Sequence, residues 1–497
     1  MINPDIINAF ADGCTPRVLV VTDMWFSKEN AVFQGFSLSQ FVDTLLGAGM
    51  EVTRANILGP NNEPAGTLLD FKFDDVSNGL SRSRYDVCFI FTFDDEARGR
   101  FGVPILEDSE LTAIKKFMEE GGGVFATGDH EDLGARTAKD IPRVRSMRKW
   151  TFDQGVPSQS GPDRLSTMLS GDDVMYEFAD ESDIHPQRLF LNRDTVAGGA
   201  GNPHPLMQAQ DGRAIVHIPD HPHEGECIIP ENLETFFDLD GEEKREWPPE
   251  ISGNTPVSPE IVAKSMSEGG PLFFPLAPGE VPGNPNDIPK ATPIPREFIA
   301  IAAYDGHRAG VGRVVTDATW HHFLDINIDG TGARPRPDGD GAPRYGLRGN
   351  GADDSPVMMR LRQHWRNLAE WLMPQDRRNC ASIGRIAEAM MSFPLIEELN
   401  IPAPENRSAG VAAEVGSQII NVLKSRLMPF QVNELMEDVM AMGGRDKSSR
   451  KAGDENAAIG ALAMSLVDMG KEKEMPPAEE MRAKMAEAVA ASVTPEK

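Results

Sequence analysis

The stretch DSELTAIKKFMEEGGGVFATGDHEDLG, Asp108–Gly134, decides the fold. Its first half carries a cap-like start, apolar residues at helical spacing and a glycine stop. The run VFAT that follows is short and apolar, as in a strand buried on both faces. A helix that feeds directly into such a strand is the repeating element of a parallel sheet, because parallel neighbours need a crossover between them. The strand ends at Gly128 in four polar residues, Asp129, His130, Glu131 and Asp132. A chain that only had to turn would not need three acids and an imidazole there.

Working outward, the same alternation recurs. RVLVVTD (Arg17–Asp23), EVTRANI (Glu51–Ile57) and YDVCFIFTF (Tyr85–Phe93) predict strands, and SLSQFVDTLLGAG (Ser37–Gly49) predicts a helix. RAIVHIP (Arg213–Pro219), EFIAIAAYDG (Glu297–Gly306) and GRVVTDATW (Gly312–Trp320) predict later strands, each bounded by turn residues. SPVMMRLRQHWRNLAEWLMP (Ser355–Pro374) predicts a long amphipathic helix that closes the domain. The expected architecture is α/β, a parallel sheet with helices on both faces, over residues 1–378. Two insertions interrupt it, at about 133–211 and about 225–296. The second is proline-rich and reads as extended loops pinned over the scaffold. Residues 379–497 change character: they are rich in Ala, Met and Leu at helical spacing, which predicts a separate helical C-terminal region and a route to homo-oligomers.

Composition narrows the class. With 497 residues the chain exceeds one ordinary core, and 40% apolar with 25% charged content suits a soluble globular protein. No run of about 18 apolar residues exists, so no membrane span is expected. The opening MINPDIINAFADG lacks a basic region followed by an apolar stretch, and a cytoplasmic location is expected. A net charge of −28 argues against non-specific binding to nucleic acid or an anionic membrane. The one basic candidate, Arg136–Lys149, reads as a solvated basic face. Cys14, Cys88, Cys227 and Cys380 have neither metal-ligand spacing nor the density of a disulfide framework.

RVLVVTD, YDVCFIFTF, ELTAIKKFMEEGGGVFATGDH and the late GRVVTDATWHH together resemble the class I glutamine amidotransferase-like superfamily, in particular its ThuA-like branch. The resemblance covers roughly Arg17–Pro374, interrupted by the insertions, and implies a flavodoxin-like, amidotransferase-like sheet. In that family the corresponding strand ends in a G-x-C-x-G elbow that presents a cysteine nucleophile. Here the matching residues are Gly128-Asp129-His130-Glu131-Asp132: His130 stands at the cysteine position and Asp132 replaces the second glycine. The departure argues against glutaminase activity and for an elbow rebuilt with metal-type or acid/base groups. ThuA-like relatives are linked with carbohydrate metabolism, so the resemblance implies a sugar-derived substrate among the candidates.

Open α/β sheets place their sites beyond the carboxyl ends of the strands. Three such ends pair histidine with acid: Asp129-His130-Glu131, HIPDHPHEGEC (His217–Cys227) and DATWHHFLDINIDG (Asp317–Gly330). Seven of the ten histidines fall in or beside these segments, which random placement would not usually produce. Imidazole and carboxylate are the ligand set of Zn²⁺, Mn²⁺ or Fe²⁺, and an open coordination position activates water. The candidate metal ligands are Asp129, His130, His223 and His322. His130, Glu131, His221 and Glu224 are the candidate catalytic groups, with HPHEGE similar to the family's histidine–glutamate turn. Asp23, Trp25, Trp320 and His321 are the candidate substrate-binding residues, on an aromatic rim that suits a small polar ligand and equally suits core packing.

A metal site, a metal-free polar catalytic site and a satisfied polar network without catalysis all remain open at this level. Cys227, beside the apolar CIIP, reads as buried and inert rather than as a displaced nucleophile. Asp325, Asn327 and Asp329 match the first half of a calcium loop, but Arg336 stands where the bidentate glutamate belongs, so an acidic turn is the preferred reading. The leading expectation is a hydrolase or lyase acting on a small polar, sugar-derived or amide, molecule. Its rival is a non-enzymatic ligand-binding or interaction protein. If the elbow carries the chemistry, His130→Ala abolishes turnover and leaves the circular-dichroism spectrum and melting temperature unchanged; full activity in the variant would remove the elbow from the site.

Overall fold

A computed structural model describes residues 14–24, 26–27, 36–58, 63–93, 106–129, 131–157, 163, 165, 187–218, 225–267, 294–329, 355–391, 406–427, 429–444, 453–469 and 478–493. The chain divides into two units. Pro16–Ala209 with Arg213–Pro374 forms one, and Met1–Thr15, Gln210–Gly212 and Gln375–Lys497 form the other.

The first unit is mixed α/β, built on an eight-stranded, mostly parallel sheet. Its strands are β1 (Arg17–Thr22), β2 (Glu51–Asn56), β3 (Val87–Phe91), β4 (Gly123–Thr127), β5 (Phe190–Leu191), β6 (Glu260–Ser267), β7 (Arg296–Tyr304) and β8 (Val314–Asp317). They lie in the order β2-β1-β3-β4-β8-β7-β6-β5. The first five run parallel. The expected parallel sheet is therefore extended by three antiparallel strands. Strands β3, β4 and β8 are buried at every residue, which is what a strand covered on both faces requires of its sequence.

Two expectations about strands change. RAIVHIP supplies only His217–Ile218, and these pair with Gln187–Arg188 outside the main sheet. Conversely, the proline-rich insertion, which reads as loop in the sequence, contains β6. EIVAKSMS exposes Met266 and part-exposes Lys264, whose ammonium pairs with Glu297 across the ladder at 2.7 Å. Its β signal is that of a half-buried strand and is masked by the prolines on either side.

Helices α1 (Ser39–Gly47), α2 (Asp108–Glu119) and α3 (Pro356–Leu372) belong to this unit. The triple glycine after α2 has a steric reason. A Cβ on Gly122 would lie 2.4 Å from the Phe117 ring, and one on Gly123 would lie 2.1 Å from the Leu372 carbonyl oxygen. The end of α3 thus presses onto the first residue of β4. An aromatic cluster of Phe41, Phe89, Phe91, Phe125, Phe323 and Trp365 fills the space between α1, α3 and the strands, with ring centroids 5.0–6.3 Å apart.

Helix α1 has Leu38 at its N-cap and no local side-chain cap. Asp325 supplies one from 285 residues away: it accepts from the Gln40 N–H at 3.0 Å, the Ser39 N–H at 3.2 Å and the hydroxyls of Ser37 and Ser39. A carboxylate there satisfies orphan donors and meets the positive end of the helix dipole. Asp325–Asp329 is itself a short helix, and the first residue of the expected acidic turn, Asp325, serves α1.

The second unit is helical: α4 (Gln375–Met391), α5 (Ala409–Arg426), α6 (Pro429–Met442), α7 (Asp454–Met469) and α8 (Ala478–Ser492). Helix α7 buries residues around its whole circumference and forms the centre of this core. It meets α5 with backbones nearly in contact, since a Cβ on Gly416 would lie 1.8 Å from the Asn456 carbonyl and one on Gly460 equally close to that of Ala412. Cys14 belongs to the same core and is disulfide-bonded, which the cysteine spacing did not foreshadow, whereas Cys88 and Cys227 are free and buried. Among the described residues no helix is long and apolar enough to cross a membrane.

The crossing yields a paired prediction. Gly416→Ala should destabilise the helical unit by about 1–3 kcal/mol or more, the usual range for overpacking. Gly384→Ala, in α4 with nothing within 4 Å of the new methyl, should be neutral or stabilising. Urea denaturation followed by circular dichroism reads both, and equal midpoints would remove the close approach from the account.

Candidate functional site

The site grows from the register of β4 and β8. Thr127 lies opposite Asp317 in a parallel ladder, so Asp129 and Thr319 emerge side by side beyond the carboxyl ends. The turn after β4 is tight: Glu131 has φ +53°, Gly134 has φ +89°, and the Asp129 N–H donates to the Leu133 carbonyl at 3.3 Å. A Cβ on Gly128 would lie 2.3 Å from that same carbonyl, which is why the residue before Asp129 is glycine.

Two buried imidazole–carboxylate pairs stand here. His321 Nε2 lies 2.9 Å from Asp129 Oδ2, and His322 Nε2 lies 3.0 Å from Asp317 Oδ2. An ionised carboxylate only accepts, so each imidazole donates. Thr319 joins the pairs. Its hydroxyl donates to Asp129 Oδ1 at 2.9 Å and accepts from the His321 N–H at 3.1 Å, while its own N–H donates to Asp317 Oδ1 at 3.3 Å. All of these side chains are at most 2% exposed.

A third imidazole arrives from α3. Asp317, His322 and His364, all buried, present ligand atoms within 4.8 Å of one another and could hold a metal ion. His322 Nδ1 and His364 Nε2 have no hydrogen-bond partner, although a buried lone pair or N–H left unmatched is costly. The donor set, two imidazoles and a carboxylate, suits a first-row divalent ion. Burial, with His322 nearby, pushes the His364 pKa down to about 4, so the ring is neutral at pH 7.

Arg148 is fully buried beside the two pairs and makes four hydrogen bonds, all to backbone carbonyls. Nε donates to Asp317 at 3.1 Å, Nη1 to Lys149 at 2.9 Å, and Nη2 to Asp129 at 2.8 Å and Ala318 at 2.9 Å. Its guanidinium also lies 4.6 Å from the centre of the Trp150 ring. Burial lowers its pKa, and the charges of Asp129 and Asp317 work against that shift. The stretch expected as a solvated basic face therefore contains two fully buried arginines, Arg143 and Arg148.

The sequence-predicted residues divide as follows. Asp129 and His322, expected as fellow metal ligands, belong to different pairs, and His322 alone joins the metal-competent group. His321, expected at the substrate, is the partner of Asp129. Asp23 accepts the Phe93 backbone N–H with both carboxylate oxygens at 2.8 Å, and the Phe93 ring stacks on Trp320 at 4.5 Å, so these two rim residues are linked through one residue, Phe93. Glu131 is half-buried and its N–H donates to the Pro157 carbonyl. Trp25, His130, His221, His223 and Glu224 lie outside the described residues. The chain re-enters at Gly225, where a Cβ would lie 2.3 Å from Arg148 Nη2 and 2.0 Å from the Ala318 carbonyl. Cys227 is buried, with burial raising its thiol to about 12, as the inert reading expected.

His364 and Arg148 were missed. His364 sits on the apolar stripe of α3 with Leu361, Trp365 and Leu368, and a lone polar residue on that stripe was the available signal. Searches against protein-family models, curated proteins and solved structures found no match.

Beside the site, His204 is fully buried against Trp371 and its Nδ1 accepts the Leu206 N–H at 3.3 Å. Burial lowers its pKa to about 3. The unfolded chain therefore binds this proton well before the folded one does. Stability is complete above the unfolded histidine pKa of about 6.5 and falls as the pH drops below it towards 3. His204→Asn keeps an acceptor for the Leu206 N–H and removes the titration. Urea midpoints at pH 7, 6 and 5 should fall less steeply in this variant than in wild type; identical slopes would mean that His204 is not held neutral.

Proposed function

We propose that the carboxyl edge of the sheet is the active site of a hydrolase or lyase for a small polar molecule, assisted by one divalent ion, Zn²⁺, Mn²⁺ or Fe²⁺. The observation that carries this reading is the convergence of Asp317, His322 and His364 beside the Asp129–His321 pair. A flavodoxin-like scaffold of the amidotransferase-like kind supports it, since the parallel strands follow the order β2-β1-β3-β4-β8 and the site lies where such sheets bind ligands. Without a cysteine at the elbow, and with Cys227 held as a thiol, water rather than a side chain is the nucleophile.

Asp317, His322 and His364 would hold the ion, and an ion so bound lowers the pKa of its water towards neutrality. The remaining chemistry belongs to the chain. His321, donating through Nε2 to Asp129, carries its lone pair on Nδ1 and is an oriented base. Thr319 holds the Asp129 carboxylate against that ring. Trp320 and Phe93 form an aromatic wall suited to one face of a sugar-derived or amide substrate.

One observation favours a second reading, a non-enzymatic ligand-binding or interaction protein on a degenerate scaffold. The groups of the site are almost completely buried, and both Asp129 oxygens are already engaged.

Elemental analysis by inductively coupled plasma mass spectrometry, on protein without a histidine tag, separates the two. About one equivalent of zinc, manganese or iron is expected in wild type, absent from His322→Ala and His364→Ala and retained in His321→Ala. Metal-dependent hydrolysis of a panel of small esters, lactones and amides should be lost in all three. Wild-type protein that takes up none of these ions after reconstitution would favour the scaffold reading.

A further inference from the structure

We infer that the Leu206 carbonyl sets the tautomer of His364, and that Asn367 is a positioning residue that clamps this carbonyl in place; the role in metal binding rests on the reading above. His364 Nδ1 lies 3.0 Å from the Leu206 oxygen. A carbonyl can only accept, so the proton of the neutral ring is on Nδ1 and the lone pair is on Nε2. That Nε2 is the buried atom without a hydrogen-bond partner, and His364 belongs to the group with Asp317 and His322, so Nε2 is the nitrogen left to offer a lone pair. A histidine ligand whose other nitrogen donates to a carbonyl is oriented and made more basic.

The carbonyl does not stand alone. It belongs to the three-residue turn Pro205–Met207, inside the long insertion that follows β4. Asn367, three residues after His364 and on the same face of α3, is fully buried against this turn. Its Nδ2 donates to Gln208 O at 2.7 Å, with Pro205 O at 3.1 Å and Leu206 O at 3.3 Å. Its Oδ1 accepts from Gln363 Nε2 at 2.9 Å, which settles the end of the amide that faces the turn. The turn is closed on its far side as well. The Leu206 N–H donates to His204 Nδ1, and Gln208 Nε2 donates to Pro203 O at 2.9 Å. His322 is held differently, by a carboxylate: its Nε2 lies 3.0 Å from Asp317 Oδ2, and its Nδ1 is the nitrogen without a hydrogen-bond partner. The insertion thus serves the site by delivering one backbone oxygen to one histidine.

The test uses full-length protein labelled with ¹⁵N-histidine and long-range ¹H–¹⁵N NMR, with His364 assigned by its disappearance in His364→Gln. Wild type should show His364 as the Nδ1–H tautomer, a measurement that needs no structural variant. An Nε2–H tautomer overturns the inference whether or not metal binds. In Asn367→Leu, of similar volume but without the amide, the single-tautomer pattern should be lost, and Co²⁺ affinity from visible absorption should fall about 10–100-fold. Asn367→Asp, which keeps the acceptor for Gln363 but turns an oxygen towards the carbonyls, should behave alike. An unchanged tautomer and unchanged Co²⁺ affinity in both folded variants would overturn the role of Asn367. The Nδ1–H tautomer in a wild type that binds no Co²⁺ upholds the role of the Leu206 carbonyl and sinks the metal reading alone, and the tautomer in the Asn367 variants then tests the clamp.

Discussion

The parallel ladder between β4 and β8 is the constraint on which the rest of the site depends. It joins segments 190 residues apart and sets Thr127 against Asp317. Everything chemical follows within a few residues of that pairing: Asp129 from one strand, Asp317, Thr319, His321 and His322 from the other. Because side chains of a strand alternate and the register is fixed by backbone hydrogen bonds, a shift of one residue would turn these groups to the wrong faces. Phe323 anchors the histidine turn from below, in contact with Phe91, Phe125 and Trp365. Packing and chemistry are thus consecutive in sequence.

Such a concentration of buried polar groups is stable only if each finds partners. Arg148 illustrates the balance. Removing a guanidinium from water costs several kcal/mol. Its four carbonyl bonds replace the hydrogen bonds to water that burial removes and so work against that cost. Three of its acceptors are the backbone of Asp129, Asp317 and Ala318, so the same bonds brace the two strand ends that bear the pairs. The helical unit solves a similar problem with side chains: buried Asp438 is held by Arg378, Gln375 and Ser382. The unmatched nitrogens of His322 and His364 break the pattern, and they do so where ligand atoms converge.

Two long-range contacts show how distant segments cooperate. Asp325 caps α1 and thereby ties the histidine turn to the first crossover helix. Arg362 of α3 donates to the Thr44 hydroxyl and the Gln40 side chain at 2.6 Å, binding α3 to the same helix. Helix α3 in turn carries His364 and Asn367. The chain α1, Asp325, His321–Phe323, α3 closes on itself, so the position of His364 is over-determined.

What the sequence by itself determined were the local patterns: the buried strands RVLVV, VCFIF, GVFAT and VVTD, the helices between them, the helical C-terminal region and the carboxyl ends where His and Asp gather. These were legible because burial on both faces demands continuous apolar runs, and crossover helices demand their own period. The tertiary structure alone decided which residues meet. His321 and His322 are adjacent in sequence yet serve different carboxylates. His364 looked like one polar residue on an apolar helix, and Arg148 like one of several surface cations. β6 was hidden by its flanking prolines, and the Leu206 carbonyl carries no sequence signal at all, because every residue has one. Partnership depends on register and on the closing of long loops, and neither leaves a mark in the local order of residues.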